Sequence, residues 1–369
     1  MGNPSITKFN ASDVEAILAI ATPAIGEKEH MVTSEVDARF TWDYDRDFSA
    51  LDRLYEKAKR SQWNATTDLP WHIEVDPERE AIENMRSRAD SRVLPLDFSG
   101  TKVASWGEKE WLEFSILSQR WSISQFLHGE QGALLCTARL VETVPWYEAK
   151  LYGATQVVDE ARHVEVFARY AKEKLGGEFQ INAHLGHLLD DILSDSRWDM
   201  VYLGMQVMVE GLALAAFGYM QQLSSEPLLK KMLKYVMADE ARHVAFGTLS
   251  LSEAYKDLSE AELFERAEFA FEASLRMRDR FLQQEVWASM GVNPKDVLPI
   301  VLADPDRAVF QGLLFSKIVP NCRKLGLLDA KDGWLRHRFT DLGVIGFEHA
   351  DTTDEEIALG NFELDLAAV

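Results

Sequence analysis

Cysteine is scarce in this chain, which has only Cys136 and Cys322 among its 369 residues. Two cysteines so far apart exclude a disulfide framework and an iron–sulfur cluster, and they are typical of a reducing, cytoplasmic setting. Basic residues are also few: 39 Lys and Arg face 60 Asp and Glu, for a net charge of −21. Because phosphate backbones and anionic membranes attract basic surfaces, we expect no nucleic acid and no membrane as partners.

Long hydrophobic runs, targeting signals and strand patterns are missing as well. The most apolar run, residues 211–220, has half of the ~20 residues that a membrane-spanning helix needs, so it predicts a buried core helix. Residues 1–6 lack the basic-then-apolar pattern of a signal peptide. No Gly-x-Gly-x-x-Gly fingerprint predicts a bound flavin or nucleotide. Hydrophobic residues make up 47% of the chain, which predicts a globular protein with a substantial core.

What the sequence does have, from residue 105 onward, is helical periodicity. Four long helices are predicted from caps and breakers. The first begins at a capping box of Ser105 and Glu108 and ends near residue 142; the second runs from Pro145 to Gly176 and Gly177; the third covers 197–222, after a short helix at 184–193; the fourth begins at Ser225 and Pro227 and ends near residue 255.

The remaining chain is predicted to flank this bundle. Residues 1–104, with an early helix over 48–60, form an N-terminal flank packed on the core, and residues 105–292 form the bundle itself. A capping box of Ser259 and Glu262 begins a fifth helix that ends at Gly291. Residues 293–369 form a C-terminal flank, with a helical pair over 305–327 broken at Pro320 and an acidic tail from residue 351. We expect these parts to make one globular unit.

The pentapeptide Asp-Glu-Ala-Arg-His occurs twice, at 159–163 and 239–243, and each copy follows a single glutamate at the same interval. Glu130 precedes Glu160 by 30 residues, and Glu210 precedes Glu240 by 30 residues. Glutamate and histidine three apart lie on one helix face, so each copy offers a carboxylate and an imidazole to a common point. Four carboxylates nearly neutralise two divalent cations. The repeat therefore predicts a two-metal site with six ligands: Glu130, Glu160, His163, Glu210, Glu240 and His243.

At these residues the chain resembles the ferritin-like di-iron carboxylate superfamily. This group includes the ribonucleotide reductase radical subunit, the multicomponent monooxygenases and the arylamine N-oxygenases. The resemblance covers residues 108–255 and implies an all-α fold, a ferritin-like four-helix bundle with a di-metal carboxylate site and additional flanking helices. It also implies that Asp159 orients His243 and Asp239 orients His163, while Arg162 and Arg242 pair with these aspartates.

Four residues leave the subfamily open. Phe167 stands where a radical-storing reductase subunit has tyrosine, and Val236 stands where the arylamine N-oxygenases add a histidine. Ala213 and Leu214 occupy the place of a hydroxyl residue in monooxygenases and desaturases. No subfamily matches at every position.

The resemblance implies an O₂-activating di-iron oxidase or oxygenase. Carboxylate-rich ligation suits iron or manganese. We expect two Fe ions to use O₂ to oxidise a small, partly hydrophobic organic substrate by hydroxylation, desaturation or N-oxygenation. A ferroxidase or iron-handling protein, and a manganese or mixed Mn/Fe oxidase, are the alternatives. An external reductase or ferredoxin would supply electrons, and fold analogy favours a homodimer.

Residues one turn from the ligands are candidates for a substrate pocket, although apolar residues at helical spacing are more often plain core. The candidates are Leu134, Gln156, Phe167, Gln206, Leu214 and Phe217. His184 and His187 also have the spacing of a metal pair. They have no evident carboxylate partner, so an exposed helix start is the favoured interpretation.

Overall fold

The described part of the chain is helical throughout. A computed structural model describes residues 14–20, 29–91 and 96–350, and these residues contain no β-strand, as the all-α prediction requires. The predicted acidic tail, residues 351–369, lies outside the described residues. The helices are α1 (Val14–Leu18), α2 (Ser49–Arg60), α3 (Pro77–Ser91), α4 (Glu108–Thr143), α5 (Tyr147–Lys174), α6 (Ala183–Ser194), α7 (Trp198–Tyr202), α8 (Glu210–Leu223), α9 (Pro227–Ala254), α10 (Glu260–Asp279), α11 (Gln284–Ser289), α12 (Pro294–Leu302), α13 (Pro305–Lys324) and α14 (Ala330–Asp341).

Four rods form the central bundle. Helices α4 and α5 pack along each other, and so do α8 and α9. Each pair is joined by only three residues, which makes its two helices antiparallel neighbours. The pairs meet because α5 contacts α9 and α4 contacts α7. The predicted four-helix bundle is therefore confirmed.

The long helices begin and end largely where the sequence predicts, with local differences at the caps. Helix α4, at 36 residues, is about 54 Å long. It begins after Gly107, whose N–H donates to Oε2 of Glu110 over 2.8 Å. The predicted Ser105 cap is wrong, because Ser105 ends a separate 3₁₀ turn. Helix α9 is capped by Glu226 rather than Ser225, since the Glu226 carboxylate accepts from two backbone N–H groups of the first turn.

A π-helical segment, Leu203–Val209, joins α7 to α8 and makes one rod of them. This rod, Trp198–Leu223, has 26 residues and is long and apolar enough to cross a membrane, but 89% of its most apolar window is buried inside the protein. It is the core helix of the bundle. Helix α9 packs closely against this rod, because a Cβ added at Gly247 of α9 would lie 2.5 Å from Cβ of Gln206.

Flanking helices cover the bundle on several sides. Helix α2 packs on α5 and α9, α3 packs on α4, and α13 packs on α8. Helix α6 lies against α4 and α10, and α10 also contacts the π segment. The bundle is thereby enclosed, which places the centre of its four rods far from solvent.

Two predictions for the C-terminal half are wrong. The fifth helix does not run to Gly291: it ends at Asp279, a 3₁₀ turn covers Arg280–Leu282, and Gln283 adopts a left-handed conformation with φ 55°. This break redirects α11 so that Glu285 accepts from the Trp121 indole over 3.0 Å.

The predicted break at Pro320 does not occur. Helix α13 runs through it without interruption. Proline removes one helical hydrogen bond, but the apolar face of α13 is fully buried around it, including Phe315, Ile318 and Val319. Burial of that face holds the helix together across the missing bond.

Candidate metal centre

Four glutamates and two histidines meet in the middle of the bundle; we call them the central cluster. Their ligand atoms form two sets, and within each set all atoms lie within 4.8 Å of one another. Glu160 and Glu240 belong to both sets, so each faces both positions as a bridging carboxylate would. One set is completed by Glu130 and His163, and the other by Glu210 and His243. All six residues of the central cluster are buried.

Each rod contributes to the central cluster at one level of the bundle. Glu130 comes from α4, and Glu210 is the first residue of α8, directly after the π segment. The two Glu-x-x-His pairs come from α5 and α9. The fold thus brings together all six residues that the repeat singled out.

Both imidazole rings point Nδ1 into the central cluster. His163 Nδ1 lies 3.2 Å from Oε2 of Glu130 and 3.0 Å from Oε1 of Glu240. His243 Nδ1 lies 3.0 Å from Oε1 of Glu160 and 3.9 Å from Oε2 of Glu210. In both histidines Nδ1 is therefore the atom placed to bind a cation.

The donor set fits two divalent cations. Both carboxylate oxygens of Glu240, Oε2 of Glu210 and Nδ1 of His243 have no hydrogen-bond partner although they are buried. Such groups are costly to bury unless a cation or a proton compensates them. Burial raises the pKa of Glu130 and Glu210 well above the usual range, and repulsion from neighbouring carboxylates adds to this. Divalent cations would displace these protons, and three carboxylates with one imidazole at each position suit iron or manganese.

An outer layer of two aspartates and two arginines surrounds the central cluster; its members are Asp159, Arg162, Asp239 and Arg242. The histidines are held crosswise: Nε2 of His163 lies 3.2 Å from Oδ2 of Asp239, and Nε2 of His243 lies 3.3 Å from Oδ2 of Asp159. These bonds tie α5 to α9 and leave each Nδ1 facing inward.

The arginines of the outer layer pair with its aspartates. Arg162 pairs with Asp159 and lies 3.3 Å from Asp239, while Arg242 pairs with Asp239 and lies 3.6 Å from Asp159. Burial alone would raise the pKa of Asp239, but the charge of Arg242 and the contact with His163 hold it well below its usual range. The geometry matches what the family resemblance implies. Metal binding by the six ligands stays a prediction.

Two residues that the sequence did not single out complete the outer layer. The Trp63 indole donates to Oδ2 of Asp239 over 2.7 Å, and its ring lies 5.1 Å from the guanidinium of Arg162. The Gln62 side chain donates to Oδ1 of Asp159 over 3.1 Å and accepts from Arg162. Both residues follow α2 in the N-terminal flank. No spacing or repeat links them to the pentapeptides, so the sequence alone offered no signal.

The predicted pocket residues occupy several different surroundings. Gln156 donates to Glu160 over 3.0 Å and to Glu210 over 3.1 Å, so it joins two residues of the central cluster. Gln206 is fully buried, and neither of its amide atoms has a partner. Leu214 is buried, whereas Leu134 is only half-buried.

The two aromatic members of the predicted pocket belong to a buried cluster. Phe167 stacks on Phe217 at 5.6 Å, and Phe126 lies 4.6 Å from Phe217. Two pockets of about 400 and 290 Å³ are described, and both are lined by other residues. A substrate pocket at the six candidates therefore stays a prediction.

His184 does not lie at an exposed helix start, so that interpretation is wrong. Only 2% of its surface is exposed, and burial lowers its pKa to about 4, which keeps the ring neutral. His184 is drawn inward because α6 packs between α4 and α10. Within the described ranges, neither His184 nor His187 is part of a group that could hold a metal ion.

The comparisons with known proteins match the chain only at the level of structure. No family model matches it, and no curated protein matches it. Among solved structures it is similar to a variant of an R2-like ligand-binding oxidase with an aerobically reconstituted Mn/Fe cofactor, with a TM-score of 0.50 and 17% identity over 78% of this chain and 96% of that chain. Another variant, with an anaerobically reconstituted Mn/Fe cofactor, has a TM-score of 0.49 and 18% identity over the same shares.

The fold is therefore that of the ferritin-like bundles, and its buried carboxylate–histidine cluster could hold metal ions. More particularly, it is the fold of the R2-like oxidases.

Proposed function

We propose that the protein is a di-metal oxidase or oxygenase that uses O₂ to oxidise a small, partly hydrophobic organic substrate. The observation that carries this proposal is the complete central cluster, in which two overlapping sets of four donors are buried in one bundle. The six residues would hold two iron ions, with a mixed Mn/Fe pair as the alternative. When bound, such a pair supplies the electrons that reduce O₂ to an oxidant strong enough for hydroxylation, desaturation or N-oxygenation.

The outer layer prepares the histidines for this task. With the ring proton on Nε2, each imidazole donates to an aspartate and leaves the Nδ1 lone pair facing the central cluster. Arginines pair with these aspartates, so Nε2 keeps its proton when a metal displaces the proton on Nδ1. The two imidazole rings are thus already oriented for metal binding in the metal-free protein.

The charges of the bundle centre also fit this role. Four glutamates carry the charge that two divalent cations would neutralise, and the two arginines of the outer layer neutralise its two aspartates. Gln156 bridges Glu160 and Glu210 and limits the movement of these carboxylates. Phe167 and Phe217 are fully buried in the apolar core of the same bundle, and a core that excludes water would protect a reactive oxidant.

We further propose that electrons come from a separate reductase or ferredoxin. The sequence has no nucleotide or flavin fingerprint of its own, which supports an external donor. A cytoplasmic setting and a homodimer complete the proposal; the first is supported by the low cysteine content and the second by fold analogy alone.

A single-turnover experiment tests the proposed function. Protein loaded anaerobically with Fe(II) should hold about two iron ions per chain and should consume O₂ rapidly, without forming an iron mineral. The Glu240→Ala variant removes a carboxylate that faces both metal positions, so its iron content and O₂ uptake should both collapse. Glu253→Ala, an exposed change on the same helix, is the control and should leave both unchanged. Uptake of many iron ions per chain in a large shell would instead support iron storage.

A further inference from the structure

A basic patch lies at the end of α2 and the beginning of α9. Its members, all at least partly exposed, are Lys57, Lys59, Arg60, Lys231 and Lys234. Over residues 55–68 and 231–238 these five basic residues stand beside two acidic ones, Glu56 and Asp68, although the whole chain has a net charge of −21. The sign of the charge is therefore reversed locally on a strongly acidic protein.

Contacts between α2 and α9 bring the two halves of the basic patch together. The Trp63 ring, just after α2, lies 5.2 Å from the Tyr235 ring of α9, and Nζ of Lys231 lies 5.8 Å from the centre of the same Tyr235 ring. On the side of α5, Nζ of Lys59 lies 4.4 Å from the centre of the Tyr55 ring. Because α2 packs on both α5 and α9, the basic side chains share one face of the molecule.

A largely apolar groove of about 290 Å³ opens beside the basic patch, between α2 and α5. Lys59 and Gln62 line it on one side, and Leu151 and Val158 of α5 line it on the other. Val158 is 51% exposed. An apolar centre with a charged rim is the usual composition of a protein–protein interface.

The basic patch lies over the outer layer of the candidate metal centre. Of the ten residues of the central cluster and the outer layer, Arg162 is the most exposed, at 9%. Gln62, which lines the groove, accepts from Arg162 and donates to Asp159. Trp63 follows it and donates to Asp239. A protein seated on this face would thus contact residues that touch the outer layer directly.

We infer that the basic patch and the adjoining groove are the docking surface for a small acidic protein that carries single electrons, of the ferredoxin type. The inference rests on the proposed function for the need for electrons, but docking can be measured without any reaction. An acidic carrier is attracted to the basic patch and repelled by the rest of the acidic surface, so charge alone directs it to the face nearest the outer layer.

The electron balance defines how often the carrier must dock. Two Fe(III) ions take one electron each to become Fe(II), so two reduced carriers dock in turn, and each leaves oxidised by one electron. Such a carrier must also dissociate readily. Electron-transfer complexes bury a small area, below about 1,200 Å², and a short groove with a charged rim suits a contact of that size.

Calorimetric titration with a plant-type [2Fe–2S] ferredoxin, an acidic carrier, tests the inference. The ferredoxin is kept oxidised and the protein is loaded with Zn(II), so binding is measured without electron transfer. We expect binding that weakens about tenfold or more between about 0.1 M and 1 M salt, because the Debye length falls from about 10 Å to about 3 Å. Calmodulin, an acidic protein without a redox centre, should bind more weakly than the ferredoxin.

Charge reversal locates the binding face. The double variant Lys59→Glu/Arg60→Glu changes two exposed residues of the basic patch and should weaken ferredoxin binding about tenfold or more. The control, Lys109→Glu/Lys295→Glu, changes the net charge equally on α4 and α12 and should leave the affinity unchanged. Electron transfer from reduced ferredoxin to Fe(III)-loaded protein should slow by the same factor in the first variant only. Thermal unfolding midpoints of both variants should stay close to that of the wild-type protein.

A second pair of variants tests the groove apart from its charged rim. Val158→Ser removes an exposed apolar side chain from the groove and should weaken ferredoxin binding without changing its salt dependence. Leu135→Ser removes a side chain of similar exposure, 53%, from α4 and should have no effect.

Chemical cross-linking supplies a readout on the unaltered chain. A carbodiimide joins lysine amines to ferredoxin carboxylates wherever the two touch, and mass spectrometry identifies the lysines. We expect the cross-links at lysines of the basic patch. If a charge-reversal variant does not fold, this map on the wild-type protein decides.

Four results would overturn the inference: ferredoxin binding no tighter than that of calmodulin, equal losses in both charge-reversal variants, cross-links confined to other lysines, or a change of oligomeric state in Lys59→Glu/Arg60→Glu, which would make this face a contact between copies of the chain. The titrations are repeated on metal-free protein. A chain that docks ferredoxin but binds no metal would contradict the proposed function alone, and one that binds metal but docks no ferredoxin would contradict this inference alone.

Discussion

Single residues of the outer layer decide how the histidines meet a metal. Asp239 is the most connected of them: it lies 3.2 Å from His163, accepts from the Trp63 indole over 2.7 Å and pairs with Arg242. Its carboxylate therefore combines three tasks, which are to fix a tautomer, to anchor the N-terminal flank and to neutralise a buried cation.

The Asp239→Asn variant separates these tasks. The amide keeps the shape but not the charge, so Arg242 loses its nearest counter-charge, and we expect unfolding to become easier by about 3–5 kcal/mol. Affinity for the metal bound by His163 should fall about 10–100-fold. Competition with a chelator measures the affinity, and chemical denaturation measures the stability. Asp52→Asn, at an exposed ion pair with Arg46, is the control; equal metal affinity in both variants would contradict the role of Asp239.

The residues that could be predicted from the sequence are those with a counterpart in the repeat. Two pentapeptides follow two glutamates at the same interval, so the residues of one half can be matched with those of the other. This match predicts that ten residues, the six of the central cluster and the four of the outer layer, lie around one point. Trp63 and Gln62 have no counterpart and lie in the N-terminal flank. Their positions depend on how α2 packs, which no local pattern encodes.

Among the elements, the π segment determines where Glu210 lies along the axis of the bundle. It inserts extra backbone into the third rod directly before that residue, and its Gln206 side chain lies against Gly247 of α9. The close approach needs a residue without a side chain, which is why glycine stands there.

The Gly247→Ala variant tests this packing. The added Cβ would meet Cβ of Gln206 at 2.5 Å, so the π segment or α9 must shift, and we expect a loss of about 1–3 kcal/mol in the free energy of unfolding. The matched control is Gly129→Ala, where the added Cβ meets nothing within 4 Å; there the better helix propensity should stabilise by up to about 1 kcal/mol. Equal effects in urea denaturation would contradict the account.

The helical elements themselves were largely predictable because caps and breakers are local signals. Gly176 and Gly177 end α5 with φ values of 76° and 126°, and Ser259 caps α10. The errors occurred where tertiary packing overrides the local signal. Pro320 does not break α13 because its surroundings are buried, and α10 ends early although no residue there is a breaker.

At the scale of the whole molecule, the buried titratable groups of the bundle centre make the free energy of unfolding depend on pH. Burial raises the pKa of Glu130 and Glu210, and although burial alone would lower the pKa of His163 and His243, the surrounding carboxylates raise both. A raised pKa stabilises the fold fully below the unfolded value, about 4.3 for Glu and 6.5 for His. That contribution is lost as pH rises toward the folded value.

Metal-free protein should therefore unfold at a lower temperature at pH 9 than at pH 5. Carboxylates whose pKa is lowered have the opposite effect, because their contribution to stability is lost as pH falls. That loss occurs only in acid, below the usual pKa range of Asp and Glu. Protein loaded with Zn(II) should show a smaller decline, because the metal takes the place of the protons. Thermal scans of both forms across this range check the prediction; equal slopes would contradict it.

The central claim, that the bundle binds two metal ions between its four rods, is tested most directly by anomalous diffraction. Crystals of protein loaded with Fe(II), or with Fe(II) and Mn(II), are measured at the absorption edge of each metal. We predict two peaks per chain, with Glu160 and Glu240 between them and one histidine Nδ1 at each. Absence of both peaks from the central cluster in fully loaded crystals, or metal bound only elsewhere, would contradict the account.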